Sequence, residues 1–118
     1  MEQSPTTLVI TPFTSVESAW FSTIRDMQSA PIRALSEPAR RRVDAVIKCL
    51  DTLYRNRRIE MLHVRIMRIW GARGVAPNPA RQRENSDWRI WQEAMDRLDA
   101  ALRAKGIVAG ALFQDAAD

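Results

Sequence analysis

Apolar side chains recur at helical spacing in four segments of the chain. In the first segment Val16, Ala19, Trp20, Ile24 and Met27 share one helical face. Thr14, followed three residues later by Glu17, matches a capping box and places the helix start there. Because proline disfavours helical backbone at the residue before it, we expect this helix to end before Pro31.

A second helix is predicted to begin after Ser36, a favourable N-cap residue, with Pro38 in its first turn. Its apolar residues follow the i, i+3, i+4, i+7 spacing of a core-facing stripe: Val43, Val46, Ile47, Leu50, Leu53 and Tyr54. Asp44 with Lys48 and Asp51 with Arg55 form acid-before-base pairs on the outer side of this helix.

A third, shorter helix is predicted from Glu60 to Trp70. Its inward residues are expected to be Leu62, Ile66, Ile69 and Trp70, while Arg58, Arg65 and Arg68 fall on another stripe. Gly71 and Gly74 follow, and glycine tolerates the positive φ that helix ends often need.

The fourth helix is predicted to run from about Ser86 or Asp87 to Lys105. Its apolar residues lie one turn apart: Trp88, Trp91, Met95, Leu98 and Leu102. Glu93 with Arg97 and Asp99 with Arg103 are expected ion pairs on its outer side. Gly106 occupies the expected C′ position, and Ile107 follows where a Schellman motif places an apolar residue.

These segments predict an all-α single domain of about four helices over residues 14–108, which is a usual size for one domain. Residues 1–13 precede it as an extended arm, and residues 109–118 follow as an acidic flexible tail. A long basic loop, 71–85, separates helices three and four. Loops of this length in compact domains are commonly functional or disordered, so this loop is a candidate contact element.

Positive charge is concentrated in one part of the chain. The formal net charge is +4, and sixteen of the eighteen basic residues are arginine. Residues 55–83 contain only one acid, Glu60, and eight arginines: Arg55, Arg57, Arg58, Arg65, Arg68, Arg73, Arg81 and Arg83. Arginine offers a planar donor fork that suits phosphate, carboxylate or a guanine edge.

This charge pattern favours a binding protein, and two partners fit it. The first is double-stranded DNA, bound in a regulatory role by the eight arginines, with Arg65 and Arg68 reaching the bases. The alternative is an adaptor or inhibitor of the mobile-element type, which docks on an acidic protein surface. Four Trp and five Met residues also leave room for a homodimer interface.

The sequence contains none of the motifs GxSxG, GxGxxG or HExxH, and no phosphate loop. The single histidine, His63, and the single cysteine, Cys49, are interpreted as packing residues. We therefore expect no enzyme activity, no metal and no cofactor. No apolar run approaches the length of a membrane span, so we expect a cytoplasmic protein that does not bind membranes.

The stretch WQEAMDRLDAALRAKGIV, residues 91–108, resembles the C-terminal portion of small phage-type or mobile-element-type helical proteins. The layout of the last two helices also resembles helix-turn-helix regulators, in which a Lys/Arg-x-Gly-hydrophobic ending leads into a wing. The resemblance implies a helical fold and carries no assigned activity.

Overall fold

The computed structural model describes residues 12–109, which form four α-helices. These are α1 (Val16–Ser29), α2 (Glu37–Arg55), α3 (Met61–Arg73) and α4 (Asn85–Ala104), with single 3₁₀ turns at Ile32–Ala34 and Gln82–Glu84. Residues 12–109 contain no strand beyond one isolated β-bridge. The predicted all-α class and the four helices are therefore confirmed.

Serine side chains cap the first two helices. Ser15 Oγ accepts the backbone N–H of Ser18 at 3.1 Å, so α1 begins one residue after the predicted position. Ser36 Oγ accepts the N–H of Ala39 at 3.3 Å, as the sequence predicts. Each bond satisfies one of the free N–H groups of a first helical turn.

The end of α4 is the predicted Schellman motif. Gly106 has a φ of 76°, and its N–H donates to Arg103 O, while the N–H of Ile107 donates to Leu102 O at 2.9 Å. A left-handed residue at C′ is what this motif requires, and glycine adopts it without strain.

The segment after α4 pairs with the arm that precedes α1. The N–H of Phe13 donates to Ile107 O at 2.9 Å, and the N–H of Ala109 donates to Phe13 O at 3.0 Å. Phe13 and Val108 thus form a parallel bridge, and no wing hairpin is present within residues 12–109. The remainder of the predicted arm and tail, 1–11 and 110–118, lies outside the described residues.

Helices α1 and α4 form the centre of the bundle, because each packs on all three other helices. Helices α2 and α3 occupy opposite sides and make little direct contact with each other, although they are consecutive in the chain. One side of α3 therefore packs on α1 and α4, and its other side is not covered by α2.

Two buried tryptophans occupy the core between these helices. Trp20 of α1 and Trp91 of α4 are fully buried, and Phe21 stacks on Trp91 with ring centroids 5.6 Å apart. Trp20 Nε1 donates to the carbonyl oxygen of Met67 at 2.8 Å, and Trp91 Nε1 donates to Glu17 Oε2 at 2.9 Å. An unpaired buried N–H costs about 1–3 kcal/mol, so each indole ring must stay within hydrogen-bond distance of its acceptor. The two bonds therefore also hold the helices that they join in position.

Gly71 sets the distance between α1 and α3. It is buried in the last turns of α3, and a Cβ atom there would lie 2.8 Å from Trp20 Nε1 and 2.9 Å from Ile24 Cγ1. Both neighbouring side chains are themselves buried. The helices therefore approach more closely than any residue with a side chain would allow.

This contact determines which side of α3 faces inward. The buried residues are Ile66, Met67, Trp70 and Gly71. The prediction that Leu62 and Ile69 face the core is wrong, since they are 47% and 41% exposed. Both lie nearly half a turn from the middle of the face that Gly71 and Met67 turn toward α1.

The connection between α3 and α4 is shorter than the predicted loop. Helix α3 continues to Arg73 instead of Trp70, and α4 begins at Asn85. Within the remaining segment Pro77 is buried and residues 82–84 form a 3₁₀ turn. The expectation of a long basic loop is therefore not confirmed, because helical backbone takes up both of its ends.

Replacing Gly71 with alanine should lower the free energy of unfolding by about 1–3 kcal/mol, because the added methyl group overpacks the contact with Trp20 and Ile24. Helix propensity alone would change stability in the opposite direction, by about 1 kcal/mol. Urea denaturation monitored by circular dichroism measures the difference.

The adjacent Ala72 is exposed and provides the matched control. Ala72→Gly should cost about 1 kcal/mol through propensity alone. A Gly71→Ala variant more stable than the wild type would show that the close approach is not a constraint.

Candidate interaction surface

The eight predicted arginines are distributed along α3 and beyond both of its ends. Arg55 ends α2, Arg57 and Arg58 lie in the turn before α3, and Arg65 and Arg68 lie on α3 itself. Arg73, Arg81 and Arg83 lie at the end of α3 and in the connection to α4. All eight are exposed.

Arg57 adopts a backbone conformation that is unusual for a residue with a side chain. Its φ is 60°, and it occupies the C′ position of a Schellman motif that ends α2. The N–H of Arg57 donates to Tyr54 O at 3.1 Å, and the N–H of Arg58 donates to Leu53 O at 2.8 Å. The left-handed conformation costs a non-glycine residue about 1–2 kcal/mol. The turn keeps the Arg57 side chain exposed, and the strained backbone lowers the stability of the folded state by that amount.

Arg65 and Arg68 border a groove between α1 and α3, which we call the α1–α3 groove. Its volume is about 500 Å³. The lining residues are Ile24, Met27 and Gln28 from α1, and Met61, Val64, Arg65, Arg68, Ile69 and Ala72 from α3. The two arginines are the only charged residues among them.

The groove presents apolar side chains to solvent. Met27 is 40% exposed, Met61 is 54% exposed and Ile69 is 41% exposed. Leu62 is also exposed but lies outside the groove. The apolar spacing predicts Met27 and Ile69 on core-facing stripes and does not single out Met61, but the structure exposes all three. The sequence does indicate that some apolar residues of α3 are exposed, because they occur on every side of the helix and a single core-facing stripe cannot bury them all.

Met61 also lines a second hollow, at the turn between α2 and α3. Tyr54, Arg55, Arg57, Ile59 and Glu60 form the remainder of that hollow. Arg55 pairs with Asp51 of its own helix at 2.6 Å. The structure thus brings Arg55 and Arg57 beside Met61, and Met61 beside the two arginines of the groove.

The arginine at the end of α3 and the two in the connection to α4 have other neighbours. The Arg73 guanidinium lies over the Trp70 ring, 4.5 Å from its centroid, and Trp70 Nε1 donates to Asp87 Oδ2 at 3.0 Å. Arg81 pairs with Glu84 at 3.5 Å. Arg83 has no ion pair with a described residue, and neither Arg81 nor Arg83 borders the α1–α3 groove.

Hydrogen bonds fold the connection back onto the start of α4. The N–H of Asn78 donates to Glu84 Oε1 at 2.8 Å, and Asn85 Nδ2 donates to Pro79 O at 3.1 Å. The N–H of Ala80 donates to Asn78 Oδ1 at 2.9 Å. Arg81 and Arg83 are consequently held close to α4.

His63 joins the start of α3 to α4. Its Nδ1 accepts the backbone N–H of Glu60 at 3.0 Å, so Nε2 bears the proton and donates to Glu93 Oε1 at 2.9 Å. Glu60 caps α3 in return. The hydrogen bond from His63 lowers the pKa of the Glu93 carboxyl below its ordinary value. The Glu93 carboxylate thus bonds to His63 and not to Arg97, whose guanidinium donates to the backbone oxygen of Glu93.

Few acidic groups compete for the groove arginines. The only acid between residues 55 and 83, Glu60, takes part in the cap of α3. Neither Arg65 nor Arg68 forms an ion pair with any residue in the described range 12–109. Within this range, no acid neutralises their guanidinium groups, and an external anion can pair with them.

No helix in residues 12–109 is long and apolar enough to cross a membrane, and no cluster of metal-ligating side chains was found there. Comparison with known proteins found no matching family model, no matching curated protein and no matching solved structure.

Replacing Arg57 with glycine should raise the free energy of unfolding by about 0.5–1 kcal/mol. The substitution removes the left-handed strain, and the greater freedom of glycine in the unfolded chain offsets part of the gain. Arg57→Ala keeps a Cβ atom and should give no such gain. Equal stability of the two variants in urea denaturation would contradict this account.

Replacing Glu93 with glutamine should destabilise the protein at neutral pH, with a difference that disappears in acid. The folded state binds a proton at Glu93 less readily than the unfolded state does. Its contribution is therefore complete above the ordinary carboxyl pKa and is lost as pH falls through the lowered pKa of the folded state.

Urea denaturation at a series of acidic pH values measures this dependence. In a His63→Asn background the same Glu93→Gln change should no longer alter the acid dependence, because the hydrogen bond that lowers the pKa is gone. An unchanged effect of the substitution in that background would assign the dependence to another group.

Proposed function

We propose that this protein is a binding module that docks on a protein segment carrying both acidic and apolar side chains. The observation that supports this function is the composition of the α1–α3 groove, where exposed Met27, Met61 and Ile69 lie beside two arginines that form no ion pair within residues 12–109. The module acts as an adaptor or inhibitor, and no catalytic step is assigned to it.

The residue types in the groove match those of protein interfaces. The buried centre of such interfaces is enriched in methionine, aromatic residues and arginine, and depleted in lysine, aspartate and glutamate. Contiguous exposed apolar surface in a folded protein commonly marks an interaction site. Binding would remove this apolar surface from water, a favourable change of about 25 cal/mol per Å² before the costs of association.

Arg65 and Arg68 supply the preference for an acidic partner. A carboxylate that pairs with either guanidinium meets no competing acid on the groove wall. Arginine forms bidentate bonds with carboxylates, so the pair adds geometric specificity as well as attraction. Long-range attraction by the net charge of +4 also accelerates the approach of an acidic partner.

Duplex DNA is the second candidate partner, and the arginines at the ends of α3 favour it. Arg57 and Arg58 before α3 and Arg73 at its last residue are exposed at the two ends of a helix that is about 20 Å long. Such a row would neutralise several phosphates, with Arg65 and Arg68 at base edges. Protein–DNA interfaces are, however, more polar than protein interfaces, and apolar Met61 and Ile69 would then face a phosphate backbone. The groove therefore favours a protein partner.

Selection from a random-peptide display library tests the proposed function without assuming a sequence. The wild-type protein should enrich peptides that combine acidic and apolar residues. The double variant Arg65→Glu/Arg68→Glu should bind the enriched peptides at least about tenfold more weakly, because it replaces attraction with repulsion.

Arg33→Glu/Arg40→Glu is the matched control, since it makes the same charge change at two exposed sites outside the groove. If both double variants lose the same affinity for the enriched peptides, the loss is due to net charge alone, which contradicts the proposed site. Enrichment of no peptide would contradict the protein-binding function.

The affinity for a labelled random-sequence DNA duplex, measured at two salt concentrations, tests whether DNA is the partner instead of a protein. If DNA is the partner, the logarithm of affinity falls linearly with the logarithm of salt, and each contacting arginine removed reduces the slope by about one. That result, combined with a failed peptide selection, would replace the protein partner with DNA.

A further inference from the structure

We propose that the α1–α3 groove receives one amphipathic α-helix of a partner protein, whose acidic residues lie one turn apart and pair with Arg65 and Arg68. This inference rests on the proposed function and adds the conformation and register of the partner.

The spacing of the lining residues indicates a helical occupant. From α3 the groove receives Met61, Val64, Arg65, Arg68, Ile69 and Ala72, which are the positions i, i+3, i+4, i+7, i+8 and i+11. From α1 it receives Ile24, Met27 and Gln28, the positions i, i+3 and i+4. These are the stripes by which helices pack on other helices. Two such stripes side by side form a seat for a third helix.

An extended peptide would find no backbone partner here. Strand addition needs a sheet edge with free N–H and C=O groups. Both walls of the groove are helices, whose backbone groups are bonded internally. A helix satisfies its own backbone and needs only side-chain contacts, so it is the conformation that this groove accommodates.

The length of the walls sets the length of the occupant. The 14 residues of α1 and 13 residues of α3 each span about 20 Å. A partner helix of three to four turns covers that distance. Ala72, at the end of the stripe nearest the α3 C-terminus, has a small side chain and permits a close approach there.

Charge determines which helix fits. The Arg65 and Arg68 side chains lie three residues apart on α3, so carboxylates three or four residues apart on a facing helix can meet both. A second copy of this chain is a poorer occupant of the groove. A two-fold pairing of the groove with itself would place Arg65 and Arg68 of both copies around the same apolar seam, without an acid among the lining residues. An acidic partner helix provides the missing charge.

The experiment uses two designed peptides of 14 residues with the same composition. In the first, leucines follow the i, i+3, i+4, i+7 pattern and two glutamates flank them one turn apart. In the second, the same residues are rearranged into strict alternation, which favours an extended conformation. Fluorescence polarisation with the full chain gives the affinity of each peptide, and circular dichroism reports helix formation on binding.

Methionine methyl groups report where the peptide binds. With ¹³C-labelled methionine methyl groups, NMR signals of Met27 and Met61 should shift on adding the first peptide. Signals of the buried Met67 and Met95 should stay in place, which also shows that the fold is retained. The second peptide should bind at least about tenfold more weakly.

Two exposed positions on α3 provide the matched variants. Met61→Asp should reduce affinity for the first peptide by at least about tenfold, since it places an acid in the groove beside acidic residues of the peptide. Leu62→Asp makes the same type of change outside the groove and should change affinity less than about twofold.

The outcomes separate this inference from the proposed function. Equal binding of both peptides, with shifts at Met27 and Met61, would overturn the helical occupant but leave the proposed function standing. Binding without shifts at Met27 and Met61 would place the peptide outside the groove and overturn both. If the designed helical peptide does not bind but library peptides bind in an extended conformation, the helical occupant is likewise overturned and the proposed function is retained. Binding of no acidic peptide at all would overturn both. Shifts of Met27 and Met61 caused by the random duplex alone would assign the groove to nucleic acid.

Discussion

At the crossing of α1 and α3, the Trp20 indole donates a hydrogen bond to the Met67 carbonyl oxygen across 2.8 Å, and much of the structure is arranged around this contact. Gly71, one turn further along α3, leaves no room between the helices for a side chain. The indole therefore lies directly against the α3 backbone. A longer separation would leave a buried N–H without an acceptor, at a cost of about 1–3 kcal/mol.

The orientation of α3 follows from that crossing. With Met67 and Gly71 turned toward α1, Trp70 and Ile66 complete the inner face. Arg65 and Arg68 then point outward together with Met61 and Ile69, and the side of α1 next to them contributes Met27. The groove is thus a consequence of how α1 and α3 cross.

The buried tryptophans show how this small bundle positions its polar groups. Each indole is buried and donates its N–H to one acceptor: Met67 O for Trp20, Glu17 for Trp91 and Asp87 for Trp70. Two acids are therefore used inside the structure, and Glu60 and Glu93 are used around His63. Within residues 12–109, Arg65 and Arg68 form no ion pair, and no acid lines the groove.

The sequence by itself determined the four helices and most of their ends. Ser36 and Gly106 carry local signals, since a cap or a left-handed turn depends on only a few neighbouring residues. The concentration of arginine around α3 was visible in the same way. The sequence could not show that Leu62 and Ile69 would be exposed, because an all-round apolar helix does not indicate which side its partners will cover. Only the tertiary structure decided that, through the approach that Gly71 permits and the acceptor that Trp20 requires.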